Sequence, residues 1–241
     1  MNTIIDLFEE SVKKYPDVAY LWEKSNGAFQ PTTYAETREI VREFAAGLME
    51  IGVQAEDKIA ILSEGRNAWM ISELGIFYAA ATDVPLSIKL EEANDLLFRL
   101  EHSESRYIIV SGNQLPKIRS IISKLPNIQK VIVIDRLDTY QPGEIYWDEV
   151  RELGIAALLN SQKQGELIER TALVTPSSFA NITYTSGTTA DPKGIILTHS
   201  NYTSNVQQAL SLMDIPVGYR TLIILPLDHC FAHVAGMYSF M

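Results

Sequence analysis

The chain has 241 residues, 46% hydrophobic and 21% charged, the balance of an ordinary soluble globular core. Thirty acids against twenty bases give a net charge of -10 with no long basic block, which argues against nucleic acid as a partner. Cys230 is the only cysteine, so no intrachain disulfide can form, and no apolar run approaches the ~20 residues of a membrane span.

The first segment, "MNTIIDLFEESVKKYPD", carries acids inside its apolar pattern and lacks the basic start and apolar centre of a signal peptide. A cytoplasmic protein is expected, with at most peripheral membrane contact. Thr33 and Glu36 then stand at capping-box spacing, ahead of Ile40, Val41, Phe44, Leu48 and Ile51 at helical spacing. This predicts an amphipathic helix. "KIAILS" has strand length, and "NAWMISELGIFYAAA" reads as a helix apolar on most sides and therefore well buried. "DVPLS" breaks that helix at Pro85. "EEANDLLFRLEHSES" reads as a helix, and "RYIIVSG" and "KVIVID" read as strands around the helical "QLPKIRSIISKL".

Alternation of strand and helix predicts an α/β fold, with layered, parallel-rich sheets flanked by helices. From 139 to 178 the pattern weakens: a short helix is expected in "YQPGEIYWDEVRELG", and the polar stretch after it reads as a subdomain junction or a surface excursion. "FANITYT" reads as a strand, "GIILTHSNYTSNVQQALSLM" as a strand, a capped turn and a helix, and "RTLIILPL" as a further strand. The chain stops on the apolar "HCFAHVAGMYSFM". A buried helix would explain this, but an end cut from a longer protein is the favoured expectation.

Between the last two clear strands lies Thr185-Ser186-Gly187-Thr188-Thr189-Ala190-Asp191-Pro192-Lys193-Gly194. Glycine lets backbone N–H groups approach an anion, hydroxyls add donors, and lysine adds a point charge. These parts suit a polyphosphate. The spacing is not that of a Walker A loop, because Pro192 and Gly194 stand where that pattern needs glycine and a hydroxyl residue. A strand follows instead of a helix, so a hairpin lid, mobile without nucleotide, is expected. An ordinary Ser/Thr/Gly/Pro turn has similar composition.

The string "YTSGTTADPKGIILTHSN" resembles the phosphate-binding signature of the adenylate-forming enzymes: acyl-CoA synthetases, luciferases and peptide synthetase adenylation domains. It departs from that pattern at one position, where Ala190 replaces a usual glycine. "AAATDVPLS" resembles the family's G-A-V-x-V-P-L step, with Thr82 and Asp83 as departures. "LPLDHCFAHVAGMY" resembles a segment beside the acyl pocket, in the form most familiar from long-chain fatty acyl-CoA synthetases.

The resemblance covers nearly all of the chain and implies the first half of the large N-terminal AMP-binding domain. The adenine, ribose and C-terminal lysine motifs of the family do not occur in residues 1–241, so this piece alone is expected to be inactive. The implied reaction joins a small carboxylate, most like a long-chain fatty acid, to AMP from ATP, and then to coenzyme A. By resemblance Thr185, Ser186, Gly187, Thr188, Thr189, Lys193 and Gly194 hold the ATP phosphates, and Thr188 is the expected Mg²⁺ ligand. His229 corresponds to a catalytic histidine near the adenylate, and His233 is expected to line the acyl channel.

Plainer readings stand beside these. His229 alone would pass for a half-buried histidine at a strand end. His233 lies at i+4 from it, a spacing compatible with metal, but no third ligand is apparent. Cys230 beside His229 suggests a nucleophile and base, yet adjacent side chains point apart, so packing is expected. His199 is expected to order its turn, and His102 to be structural. Adenylation of an amino or aryl acid and non-catalytic nucleotide binding are the alternative functions. Oligomeric state is not legible.

Overall fold

The computed structural model describes residues 2–185 and 192–241. In chain order the elements are α1 (Ile4–Lys14), β1 (Ala19–Ser25), β2 (Ala28–Thr33), α2 (Tyr34–Glu50), β3 (Lys58–Leu62), α3 (Asn67–Tyr78), β4 (Thr82–Pro85) and α4 (Ala93–His102). They continue with β5 (Ser105–Val110), α5 (Leu115–Ile121), β6 (Lys130–Val133), β7 (Glu144–Tyr146), α6 (Trp147–Leu158), α7 (Ser161–Ala172), β8 (Phe179–Tyr184), β9 (Gly194–Thr198) and α8 (His199–Leu212).

Seven strands form one sheet in the order β7-β6-β5-β3-β4-β8-β9. All neighbours pair parallel except β8 and β9, which are antiparallel. The central strands are apolar at nearly every position because both faces are covered. Ile59 and Ile61 of β3 face one core, together with α1, α2, α3, α6, α7 and α8. Ala60 and Leu62 face the other, under α4 and α5. The parallel-rich, helix-flanked α/β reading of the sequence is the fold observed.

Local chemistry sets the helix starts. The Thr33 hydroxyl accepts from the Glu36 N–H at 3.2 Å, and Glu36 Oε2 accepts from the Thr33 N–H at 2.8 Å. This is the capping box read from the sequence, and it satisfies two donors that a helix start leaves open. Thr3 with Asp6 and Thr198 with Asn201 repeat the device using shorter partners. α3 is buried from Trp69 to Tyr78, as its all-round apolarity required.

Two local expectations are corrected, and two stretches gain structure that the sequence reading left open. "DVPLS" does more than interrupt α3: its first three residues belong to β4, which pairs with β3 up to Ile61 opposite Pro85. Pro85 ends that strand, and the Leu86 N–H donates to the Ile61 carbonyl in its place. The polar stretch after 158 is mostly helical, as α7, capped by Asn160. Leu167 is its only buried residue, too few to leave a periodic signal. "RTLIILPL" is in no strand: its apolar side chains are largely exposed, with Ile224 at 79%. A β-branched run becomes a strand only beside a neighbour that takes its backbone N–H and C=O groups, and none lies alongside among the described residues. The β1–β2 hairpin was missed, although Asn26-Gly27 marks it: both residues have positive φ (51° and 83°), as its tight turn requires.

Candidate functional site at the carboxyl ends of the strands

β8 and β9 make the hairpin predicted around the hydroxyl- and glycine-rich segment. Tyr184 pairs with Gly194, and the Thr185 N–H donates to the Lys193 carbonyl at 3.1 Å. The Lys193 N–H in turn reaches the Thr185 hydroxyl at 3.4 Å. Thr185 and Lys193 are exposed, and no described carboxylate pairs with the Lys193 ammonium. Gly194 is half-buried, and a β-carbon there would stand 3.1 Å from Ile182 Cγ2. Ser186, Gly187, Thr188 and Thr189, and with them the expectations of a phosphate cradle, a Mg²⁺ ligand and a mobile lid, lie outside the described residues.

The hairpin leaves β8 at its carboxyl end. The second candidate segment reaches the same edge of the sheet. Leu227 Cδ1 comes within 3.6 Å of the β-carbon position of Gly65, just beyond the end of β3. His229 follows Leu227, with its N–H donating to the Pro226 carbonyl at 3.3 Å and its own carbonyl accepting from Ala232 N–H at 2.9 Å. Its ring is 61% exposed, with Nε2 3.7 Å from Asp228 Oδ2. In open α/β sheets, ligands collect outside the carboxyl ends of the strands.

His233 does not share that exposure. It is fully buried and stacks on Tyr202, with ring centroids 5.7 Å apart and the planes 19° from parallel. Its Nε2 lies 2.7 Å from the Leu227 carbonyl, and its Nδ1 3.2 Å from Glu73 Oε1 and 3.3 Å from the Asn181 amide nitrogen. Burial alone would depress this imidazole. The Glu73 carboxylate and the Leu227 carbonyl outweigh burial, and its pKa is raised. His229 and His233 therefore face opposite environments, and no group of three His, Cys, Asp or Glu side chains that could hold a metal occurs among the described residues. Cys230, expected in the packing, is exposed.

Glu73 and Asp83 were not singled out as site residues. Both are fully buried, Glu73 against His233, and among the described residues no hydrogen bond of good geometry reaches any of their four carboxylate oxygens. The His233 contact with Glu73 is thus an ionic approach off the hydrogen-bond line. Burial, with the Glu73 charge added, raises the Asp83 pKa well above the usual carboxylate range. One acid inside "NAWMISELGIFY" and one in "TDVP" were the available signals, since an acid in a fully buried element needs a partner.

His199 orders its turn as expected: its Nδ1 accepts from the Ile4 N–H at 3.3 Å. His102 Nδ1 lies 2.9 Å from the Tyr184 hydroxyl, at the root of the hairpin. A cavity of about 480 Å³ opens between the β1–β2 hairpin and the segment from Ile215 to Ile223. Trp22, Met70, Arg220 and Leu227 are among its lining residues. The Arg220 guanidinium stands 3.9 Å over the Trp22 ring. Thr185, Lys193, Gly194, His229 and His233 are not among its lining residues.

The fold and the site define an open, parallel-rich α/β domain with two polar segments converging on the carboxyl edge of its sheet. The chain belongs to the AMP-binding enzyme family, whose match runs over residues 8–241. It is 28% identical to the long-chain-fatty-acid–CoA ligase heimdall of Drosophila melanogaster, over 98% of this chain and 36% of that protein. It is 30% identical to a 3-[(3aS,4S,7aS)-7a-methyl-1,5-dioxo-octahydro-1H-inden-4-yl]propanoyl:CoA ligase of Rhodococcus jostii, over 85% of this chain and 40% of that protein. Among solved structures, the inhibitor-bound N-terminal domain of FACL13 from Mycobacterium tuberculosis matches with a TM-score of 0.76 at 22% identity, covering 100% of this chain and 55% of that one. The chain thus spans between a third and a half of the length of the curated relatives named here. No described helix is long and apolar enough to cross a membrane.

Proposed function

We propose that this chain supplies the ATP-gripping part of an acid–CoA ligase that activates a long-chain fatty acid. The convergence of the Thr185–Lys193 hairpin and the His229 turn on one edge of the sheet carries the reading. In the proposed reaction a substrate carboxylate attacks the α-phosphate of ATP, releasing pyrophosphate and leaving an acyl-adenylate. The thiolate of coenzyme A then displaces AMP. Charge is spread over phosphate oxygens in the first step, so positioned N–H, O–H and ammonium donors stabilise it most.

Thr185 and Lys193 provide such donors on the described part of the hairpin, and Lys193 has no described carboxylate to neutralise it. Ser186, Gly187, Thr188, Thr189 and Gly194 complete the proposed phosphate contacts by resemblance. Thr188 is the proposed Mg²⁺ ligand by resemblance, and no cluster of three carboxylates or imidazoles suited to a metal occurs among the described residues. His229, exposed beside the same edge, is the proposed group near the adenylate. The names of the ligases from Drosophila melanogaster and Xenopus laevis support a long-chain acid. An anthranilate CoA ligase among the structural neighbours keeps an aryl acid as the competing substrate.

The test is acid-dependent exchange of pyrophosphate into ATP, measured on the polypeptide that the gene encodes. Palmitate is expected to support exchange, and Lys193→Ala to lower kcat/KM by about a hundredfold, as loss of a transition-state donor does. Exchange with aryl or amino acids alone would overturn the fatty-acid assignment. No exchange with any carboxylate would overturn the whole reading.

A further inference from the structure

We propose that the buried His233–Glu73 pair is a positioning device that ties the His229 turn to the root of the Thr185 hairpin. The inference rests on the proposed function only for its catalytic consequence. The geometry comes from the two polar contacts of one ring and the aromatic rings packed on it. Nε2 faces the Leu227 carbonyl at 2.7 Å, and a carbonyl only accepts, so Nε2 carries a proton. Nδ1 faces Glu73 Oε1 at 3.2 Å. Glu73 is fully buried, and His233 is its only cationic partner among the described residues. An unpaired buried carboxylate is costly, so the ring carries the second proton as well.

Each contact reaches a different part of the site. Leu227 lies two residues before His229, and His233 four after it, so the Leu227 bond closes the loop that presents His229. Glu73 anchors the ring to α3. Asn181 belongs to β8, four residues before Thr185; its amide nitrogen lies 3.3 Å from Nδ1 but only donates, so it makes no hydrogen bond to a protonated Nδ1. Asn181 donates instead to the Tyr202 hydroxyl at 2.6 Å, and Tyr202 stacks on the His233 ring, which joins β8 and α8 to the cluster. Trp69 and Tyr238 meet the ring edge-on at 5.4 and 5.8 Å and keep it dry. Other titratable groups facing the ring are Tyr202 on α8 and Tyr238, and the Asp228 charge acts on it from beside Leu227. One imidazole thereby fixes the separation of the two segments that the proposed reaction brings together. An ångström of slack there is enough to slow a reaction severely.

The first arm of the test needs no activity. With ¹⁵N-labelled histidine, the His233 ring of the wild-type chain is expected to hold both protons at pH 7. Glu73→Gln is expected to remove one and to raise amide hydrogen exchange across residues 227–233 by about tenfold or more, leaving β5 and β6 unchanged. A singly protonated wild-type ring, or unchanged exchange in that segment, overturns the proposal. The wild-type measurement decides even if the variant does not fold.

The second arm uses pyrophosphate exchange. Glu73→Gln is expected to lower kcat about tenfold while the KM for ATP stays within about twofold. Combined with His229→Ala, it is expected to cost no more than His229→Ala alone, because it acts through that residue. Additive losses overturn the positioning role. A wild-type protein without exchange overturns the function proposed above, and the first arm then decides the inference by itself.

Discussion

Gly154 of α6 packs directly on the backbone of Glu43 in α2: a β-carbon there would stand 1.7 Å from the Glu43 carbonyl oxygen. One turn along, a β-carbon on Gly47 would stand 1.8 Å from the Val150 carbonyl oxygen. The two glycines let the helices cross backbone to backbone, and Arg151 seals the crossing to Glu43 at 2.6 Å. Gly154→Ala is expected to destabilise the chain by about 3 kcal/mol, since neither backbone can yield. Urea unfolding measures this, and a loss below about 1 kcal/mol would show that the crossing relaxes.

Ala80 holds a φ of 55° in the turn between α3 and β4. Its N–H donates to the Phe77 carbonyl at 2.9 Å, and its carbonyl accepts from the Glu56 N–H at 2.8 Å. Both bonds pin the backbone in a conformation that a side chain disfavours. Ala80→Gly is therefore expected to stabilise the chain by about 1 kcal/mol, after the extra entropy of glycine is counted. An unchanged or lower midpoint in thermal unfolding would contradict this.

His199 links α1 to α8 and is buried as a neutral ring. Burial lowers its pKa from 6.5 to about 4, with Asp6 opposing weakly. The unfolded chain takes up this proton near pH 6.5 and the folded chain only near 4. Between those values the unfolded state binds more protons, so stability falls as the pH drops, by up to about 3 kcal/mol. His199→Gln is expected to flatten that part of the profile. Urea midpoints at pH 7, 5.5 and 4 test it, and a wild-type curve with the same slope as the variant would refute it.

Asp83 predicts the opposite slope. Its raised pKa means that the folded chain favours the protonated acid, so its contribution is complete below the usual carboxylate range and is lost as pH rises. Asp83→Asn keeps the shape and removes the titration. At pH 8 the variant is expected to be more stable than the wild-type chain by about 1 kcal/mol or more, with the gap closing toward pH 4. A less stable variant at pH 8 would mean that ionised Asp83 has a favourable partner.

The sequence by itself determined the alternation of parallel strands and helices, the α2 start at Thr33, the burial of α3 and the hydroxyl-rich hairpin. These features are written in neighbouring residues: period, capping partners and turn chemistry act over a few positions. Tertiary structure decided the rest. Whether "RTLIILPL" forms a strand depends on a neighbour to take its hydrogen bonds, and whether a polar stretch like α7 is helical depended on one leucine finding the core. The clustering of Glu73, Asp83 and His233 was equally hidden, because they stand on three elements that meet only when the sheet is assembled. Burial then gives each charge its meaning, since an acid or an imidazole in low dielectric is governed by what stands beside it in space and not by what precedes it in the chain.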